Sequence, residues 1–370
     1  MSLMFIHQRE CINGMEKMDF VELKKKFDSC KRIMCFGAGR IFKSFVGGEL
    51  LESLCGGKID CVLDNDSNKW GLYTTSPSGR YKICNPGILL DYSGEEVIVL
   101  ITCAEYEPII NQLKGINPDI SYCIYRREVL ESYHVWRSKN IVLPKSFRVT
   151  ATPEIPKVIH YCWFGKGKLP DEYHEWMKSW KKYCPEYEIV EWNESNYDVH
   201  KNRYISDAYN AKKWAFVSDY ARLDVIYEHG GIYLDVDVEL LQPLDELLYA
   251  KGFVGFELFD CVDTGSGFGA VKKLPVIGEM RSVYDSLIFL DYVDKADYEQ
   301  KRRSGQMKLC TDYQTDVLKK HGLVPDSFKF QHVADLQVYP VPVLCGKVHS
   351  KIVATDSTYC IHHYAASWLK

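Results

Sequence analysis

No stretch of this 370-residue chain comes near the ~20 consecutive apolar residues that a helix needs to cross a bilayer. Any membrane association would therefore be peripheral. The N-terminus carries no apolar core of the kind found in a secretory leader, and its first dozen or so residues show little pattern. No Cys-x-x-Cys pair occurs among the 14 cysteines, so neither a zinc ribbon nor a thioredoxin-type motif is supported. Those cysteines are scattered, and Cys35, Cys61 and Cys103 sit inside apolar, strand-like runs. Reduced thiols in a cytoplasmic protein are the expectation. There is also no basic excess: 46 Lys and Arg stand against 50 Asp and Glu, a formal charge of -4. That balance argues against a general nucleic-acid binder. Internal repeats and low-complexity tracts are absent, and doublets such as Lys181-Lys182, Lys272-Lys273 and Arg302-Arg303 are dispersed as solvated surface.

What is present is enough chain for two domains, each with its own core. The 46% apolar and 26% charged shares are those of an ordinary globular protein. Twenty-five tyrosines and 8 tryptophans suit surfaces that stack on sugars or bases, and they equally suit an aromatic core. From Arg32 to Tyr125 strand-like runs alternate with helical spacing: Arg32–Phe36, a helix over Ile41–Leu54, Ile59–Leu63, Val97–Thr102, a helix over Tyr106–Leu113, and Ile120–Tyr125. This alternation predicts a parallel, doubly wound sheet. The organisation expected is an extension over residues 1–30, a first domain over 31–126, a connecting helix plus linker over 127–154 broken by Pro144 and Pro153, and a second domain over 155–370. The second domain opens on a strand at Pro156–Trp163, followed by a helix over Asp171–Lys182 and a strand over Tyr187–Trp192.

The most informative pattern is Ser218-Asp219-x-x-Arg222 followed by Gly230-Gly231-x-Tyr233-x-Asp235-x-Asp237. Lys212 to Glu228 reads as a helix stopped by the glycine pair. Asp219 and Arg222, three residues apart, share a helix face. On a continuous strand beyond the glycines, Ile232, Leu234, Val236 and Val238 would line one side, and Tyr233, Asp235, Asp237 and Glu239 the other. A lone Asp-x-Asp is weak evidence and is more often a solvated strand edge. Its two Cα atoms stand ~6.6 Å apart, close enough to converge on one divalent cation. The helix feeding straight into the acidic strand draws four charged groups to one place.

Residues 155–370 resemble the bacterial glycosyltransferases with a sugar-binding Asp-x-Asp region, grouped with the yeast-type mannosyltransferases, and are more distantly similar to the clostridial glucosylating toxins. The resemblance rests on Ile155-Pro156-Lys157-x-Ile159-His160-x-x-Trp163, on the helix-to-strand pattern above, and on His362-His363 followed by Ser367-Trp368. It implies a GT-A fold, a nucleotide-sugar donor with a UDP-sugar first in line, Mn²⁺ or Mg²⁺, and retention of anomeric configuration. It further implies that Asp219 and Arg222 hold the donor sugar, with Ser218 and Tyr233 beside them. Asp235 would contact ribose and sugar, Asp237 would ligate the metal with Asp235 close by, and His362 or His363 would complete the metal shell. Trp163 would line the nucleobase pocket, and Ser367 and Trp368 would reach the diphosphate. The acceptor it implies is a saccharide or glycolipid precursor of a cell-surface polysaccharide, reached from the cytoplasm or the inner face of the membrane. The glycine-rich stretch Cys261 to Gly269 reads as a flexible loop beside that acceptor.

The first domain carries Gly37-x-Gly39 between a strand and a helix, with Asp64 at the end of the next strand. Phe42 stands where a dinucleotide fingerprint has its third glycine. The region resembles the Rossmann-type modules of polysaccharide-biosynthesis enzymes, with Gly37, Gly39 and Asp64 as candidate nucleotide-binding residues beside a purely structural reading. Two competing functions stay open: an NAD-linked sugar oxidoreductase centred on Gly37–Asp64, and a non-catalytic carbohydrate-binding protein.

Overall fold

The computed structural model describes residues 19–46, 48–76 and 79–365. The chain forms two compact units that meet in sequence at Trp136 and Arg137.

In the first unit, strands β1 (Arg32–Phe36), β2 (Cys61–Leu63), β3 (Tyr73–Ser76), β4 (Gly79–Cys84), β5 (Val97–Ile101) and β6 (Ser121–Ile124) form one sheet in the order β3-β4-β2-β1-β5-β6. All neighbours run parallel except the edge pair β3–β4. Alternation along β1 and β5 explains why both faces are dry. Ile33, Cys35, Ile98 and Leu100 pack into one core, and Met34, Phe36, Val97, Val99 and Ile101 into another. The first core is covered by α1 (Phe20–Ser29), α2 (Arg40–Val46) and α3 (Glu49–Cys55), the second by α4 (Glu107–Ile116). The expected parallel, doubly wound sheet is present.

Two boundaries differ from expectation. Residues 20–29 are not an extension. Phe20, Leu23 and Phe27 recur at helical spacing and are buried, and a capping box fixes the helix start. In it Asp19 accepts from the Glu22 N–H, and Glu22 accepts from the Asp19 N–H. Residues 127–139 hold the connecting helix expected there, α5 (Arg127–Lys139); Val129 and Tyr133 are buried in the first core, so the first unit runs on to Trp136 rather than ending at 126. The single helix expected over Ile41–Leu54 is two, α2 and α3.

The second unit holds β7 (Val158–Cys162), α6 (Asp171–Tyr183), β8 (Glu188–Trp192), α7 (Arg203–Asn210), α8 (Trp214–His229), β9 (Gly231–Tyr233), β10 (Val238–Leu240), β11 (Gly252–Phe256) and β12 (Val262–Ala270). There follow α9 (Pro275–Ser282), α10 (Lys295–Arg303), α11 (Cys310–Lys320), β13 (Gln331–Val333), β14 (Leu336–Tyr339), α12 (Val341–Leu344), a short hairpin β15 (Lys347–Val348) and β16 (Lys351–Ile352), and β17 (Cys360–His362). The main sheet is mixed, ordered β13-β14-β11-β12-β9-β7-β8. Strands β7, β8 and β9 are parallel, and β12 runs against both β9 and β11. The C-terminal ends of β7, β8, β9 and β11 therefore share one edge. Among the described residues no helix is long and apolar enough to cross a membrane, and the described cysteines are free thiols.

Two local expectations fail here in informative ways. The acidic segment is not one continuous strand: β9 ends at Tyr233, residues 236–237 turn, and β10 begins at Val238. The turn is fixed by the Asp235 N–H on the Gly265 carbonyl (3.0 Å) and the Val238 N–H on the Asp235 carbonyl (3.1 Å). Residues 262–270 are not a loop but β12, buried along its whole length between β9 and β11. Its glycines serve close packing. At Gly269 a Cβ would lie 2.7 Å from the Phe253 ring and 2.9 Å from the Gly231 carbonyl.

Candidate active site

The site is assembled where α8 hands the chain to β9. Helix α8 is buried nearly all round, with Val217, Ala221, Leu223 and Ile226 inaccessible. A helix that apolar must sit inside the unit, which takes the polar side chains at 219 and 222 inside with it. It ends at Gly230 and Gly231, both at positive φ (71° and 101°). A Cβ on Gly231 would lie 2.8 Å from the Val158 carbonyl and 2.9 Å from His160 Nε2. The turn can therefore only be glycine.

His160 locks this turn. Its Nδ1 accepts the Trp192 indole N–H (3.0 Å), and an indole can only donate. The remaining nitrogen, Nε2, therefore carries the proton and donates to the Gly230 carbonyl (2.9 Å). Burial lowers the imidazole to about 4. His160 thus shapes the turn as a neutral ring.

Arg222 bridges two carboxylates: its Nη2 is 3.2 Å from Asp219 and 3.3 Å from Asp235. Its Nε donates to the Ser218 carbonyl (3.2 Å), and its guanidinium lies 5.0 Å from the Tyr233 ring centre. The guanidinium is almost wholly enclosed, at 6% side-chain exposure, while Asp235 keeps 25%. The opening is on the Asp235 side. Burial pushes the Asp219 carboxyl up to about 6 despite Arg222, and burial with the neighbouring Asp237 charge pushes Asp235 up as well. The Tyr233 hydroxyl donates to Asp235 (2.9 Å).

Asp237 is brought to His362 by strand pairing, because β10 and β17 align Val238 opposite His362. His362 Nε2 is 3.2 Å from Asp237, and the Ala365 N–H also donates to the Asp237 carboxylate (2.8 Å). Burial works against the Asp237 charge, and His362 more than offsets it, holding the carboxyl at about 2. The imidazole is correspondingly held well above its ordinary value.

Asp235, Asp237 and His362 each offer one ligand atom, and these atoms lie within 4.8 Å of one another. Two carboxylates and one imidazole nitrogen fit a hard or borderline divalent ion such as Mn²⁺ or Mg²⁺. His363 lies elsewhere. Its ring stacks on Trp176 at 4.3 Å and 9°, and its Nε2 bonds Glu239 (2.9 Å). Of the two histidines weighed from sequence, only His362 joins the cluster.

Other expected residues are placed differently. The Ser218 hydroxyl turns back to the Trp214 carbonyl (3.2 Å), so this serine meets Arg222 through its backbone. Trp163 follows β7, donates its indole N–H to the Gly167 carbonyl (2.6 Å) and packs edge-on against Tyr173 of α6. Ser367 and Trp368 lie outside the described residues. In the first unit, Gly37 has φ 101° and Asp64 sits at the end of β2. The Asp64 carboxylate accepts the Ala38 N–H (3.2 Å), the Asp66 N–H (3.0 Å) and the Lys69 ammonium (3.2 Å). These partners outweigh its burial and lower its pKa. Gly39 has open space where a Cβ would stand.

The sequence reading missed Asp263, Gly265 and Ser266. Asp263 is buried, takes the Gly265 N–H (2.7 Å) and Ser266 N–H (3.1 Å), and reaches His362 Nδ1 at 3.3 Å. A Cβ on Gly265 would fall 2.4 Å from Asp235 and 3.0 Å from Arg222. The signal was Asp-x-Gly-Ser, an acid followed by residues able to give it their N–H groups.

Residues 170–254, which include Asp219, Arg222, Asp235 and Asp237, match the family described as "Glycosyltransferase sugar-binding region containing DXD motif". The chain is similar to inositol phosphoceramide mannosyltransferase 3 of Schizosaccharomyces pombe, 32% identical over 108 residues, covering 27% of this chain and 29% of that one. Inositol phosphoceramide mannosyltransferase 1 of the same yeast is 27% identical over 112 residues, covering 27% and 34%. The chain thus spans about a third of the length of these curated relatives. Among solved structures, the PaToxG glycosyltransferase matches at 17% identity with a TM-score of 0.31, over 52% of this chain and 76% of that one.

Proposed function

We propose that this chain, which carries a glycosyltransferase sugar-binding region of the DXD type, moves a sugar from a nucleotide-sugar donor to a saccharide or glycolipid acceptor with a divalent cation. One observation carries the reading: two carboxylates and an imidazole converge at a sheet edge, beside a buried arginine that holds a third carboxylate.

Asp237, Asp235 and His362 would hold Mn²⁺ or Mg²⁺. Such an ion supplies Lewis-acid stabilisation of the charge that grows on a departing diphosphate. Asp219 and Arg222 would bind the donor sugar, since a fixed carboxylate accepts from sugar hydroxyls and a guanidinium donates to them. Their mutual ion pair and burial keep both rigid, which aligns the sugar before reaction. Tyr233 holds Asp235 in place through its hydroxyl. Trp163 would line the base pocket, and Ser367 and Trp368 would reach the diphosphate. No carboxylate stands free as a nucleophile among the groups named, because Asp219 and Asp235 are both paired to Arg222. Given the retention that the family resemblance implies, this favours front-face transfer over a covalent intermediate, with the leaving phosphate assisting the acceptor. The names of the yeast relatives support a hexosyl group and a lipid-linked acceptor as the first to try. We place the protein in the cytoplasm, reaching such acceptors peripherally at the inner face of the membrane.

The test is release of nucleotide from a panel of nucleotide sugars, UDP-sugars first, with Mn²⁺ and with EDTA. The proposal expects release with at least one donor in Mn²⁺ and none in EDTA. Absence of both release and donor binding across the panel would overturn it.

A further inference from the structure

The two nitrogens of His362 face different partners. Nε2 points to Asp237, while Nδ1 lies 3.0 Å from the Ser266 hydroxyl and 3.3 Å from Asp263. Ser266 is fully enclosed, and its hydroxyl bonds Asp263 closely. A hydroxyl has one hydrogen to give, and a carboxylate can only accept. The Ser266 hydrogen therefore goes to Asp263, and the Ser266 oxygen must accept from His362 Nδ1. Asp263 cannot turn away, because the Gly265 and Ser266 N–H groups hold its two oxygens.

We infer that Asp263 and Ser266 are positioning residues that keep the Nδ1 hydrogen of His362 in place and leave Nε2, whose hydrogen would pass to solvent when an ion binds, to face the Asp235/Asp237 pair as a cation ligand. The inference rests on the cation site proposed above. Partners of this kind, on the far nitrogen of a ligating histidine, orient the ring and fix its tautomer. Neither residue belongs to the cluster of Asp235, Asp237 and His362. Asp263→Asn is the sharp variant: it keeps the shape but points N–H groups either at the Gly265 N–H or at the Ser266–His362 pair. A tautomer with the hydrogen on Nε2 then presents no lone pair to the cluster.

The experiment is Mn²⁺ titration by calorimetry on the full chain, with circular dichroism to confirm folding. Asp263→Asn and Ser266→Ala are each expected to weaken Mn²⁺ binding by about 10–100-fold. Adding Asp263→Asn to His362→Ala should weaken it no further, since the acid acts through the ring. Wild-type affinity in both single variants while His362→Ala binds weakly would overturn the inference and leave the cation site standing. Additive losses in the double variant would also overturn it, by showing a direct or merely structural role. Unchanged affinity in Asp237→Ala and His362→Ala would instead remove the cation reading itself. Should Asp263→Asn fail to fold, Ser266→Ala carries the same comparison.

Discussion

Each unit sets an aspartate at the C-terminal end of a buried strand, and the two are handled in opposite ways. In the first, Asp64 is satisfied internally by two backbone N–H groups and Lys69. In the second, Asp219, Asp235, Asp237 and Asp263 crowd together with, among the described residues, Arg222 and His362 as their positive partners. An acid neutralised by its own loop is complete without a ligand. A crowd of buried acids is costly unless a cation or polar ligand joins it. An acid at a strand end is therefore not by itself a site. What matters is whether its charge is already balanced.

The largest expected effect breaks the crowded side. Asp237→Ala and Asp235→Asn should each lower donor turnover on the order of 10³-fold with the fold retained. Turnover and circular dichroism check this, and wild-type rates would refute the site. Arg222→Ala leaves two buried carboxylates without their cation and should cost about 3–5 kcal/mol of stability. Its urea midpoint measures this, and an unchanged midpoint would mean that the carboxylates are already neutral. A pH test sharpens the role of the turn. Folded His160 resists protonation down to about 4, whereas an ordinary imidazole titrates near 6.5. Between those values the unfolded chain holds the extra proton, so stability falls as pH falls. His160→Gln should remove roughly 3 kcal/mol of that acid-dependent loss. Denaturation midpoints at pH 7 and pH 4 give the difference, and parallel losses in wild type and variant would count against a neutral His160. The smallest effect lies in the first unit. Asp64→Ala should cost about 1–3 kcal/mol by orphaning the N–H groups it accepts, without changing donor turnover. A turnover loss comparable to that of Asp237→Ala would erase the contrast between the two sheet edges.

Much of this was legible in the residues, for physical reasons. Strands β1 and β5 are continuous apolar runs because both faces of their sheet are covered. Helix α8 and its glycine stop were visible because no other residue tolerates that turn. The acidic segment misled because period two assumes an unbroken strand. The turn at residues 236–237 depends on the Gly265 carbonyl, which is 30 positions away in sequence and next door in space. Glycines misled in β12 for a related reason: they mark close approach of Phe253, Asp235 and backbone rather than freedom. Helix α1 was passed over although Phe20, Leu23 and Phe27 spell its buried face. The choice between His362 and His363 was beyond sequence, since neighbouring residues on a strand face opposite ways and only the β10–β17 register decides which meets Asp237.

The claim that a divalent ion belongs between the twin aspartates and His362 is tested most directly by anomalous diffraction at the manganese edge, from crystals soaked in Mn²⁺ and donor nucleotide. A peak is expected within bonding distance of Asp237 and His362 Nε2, with Asp235 on the same ion directly or through water. A peak elsewhere, or none while nucleotide is seen bound, would contradict it.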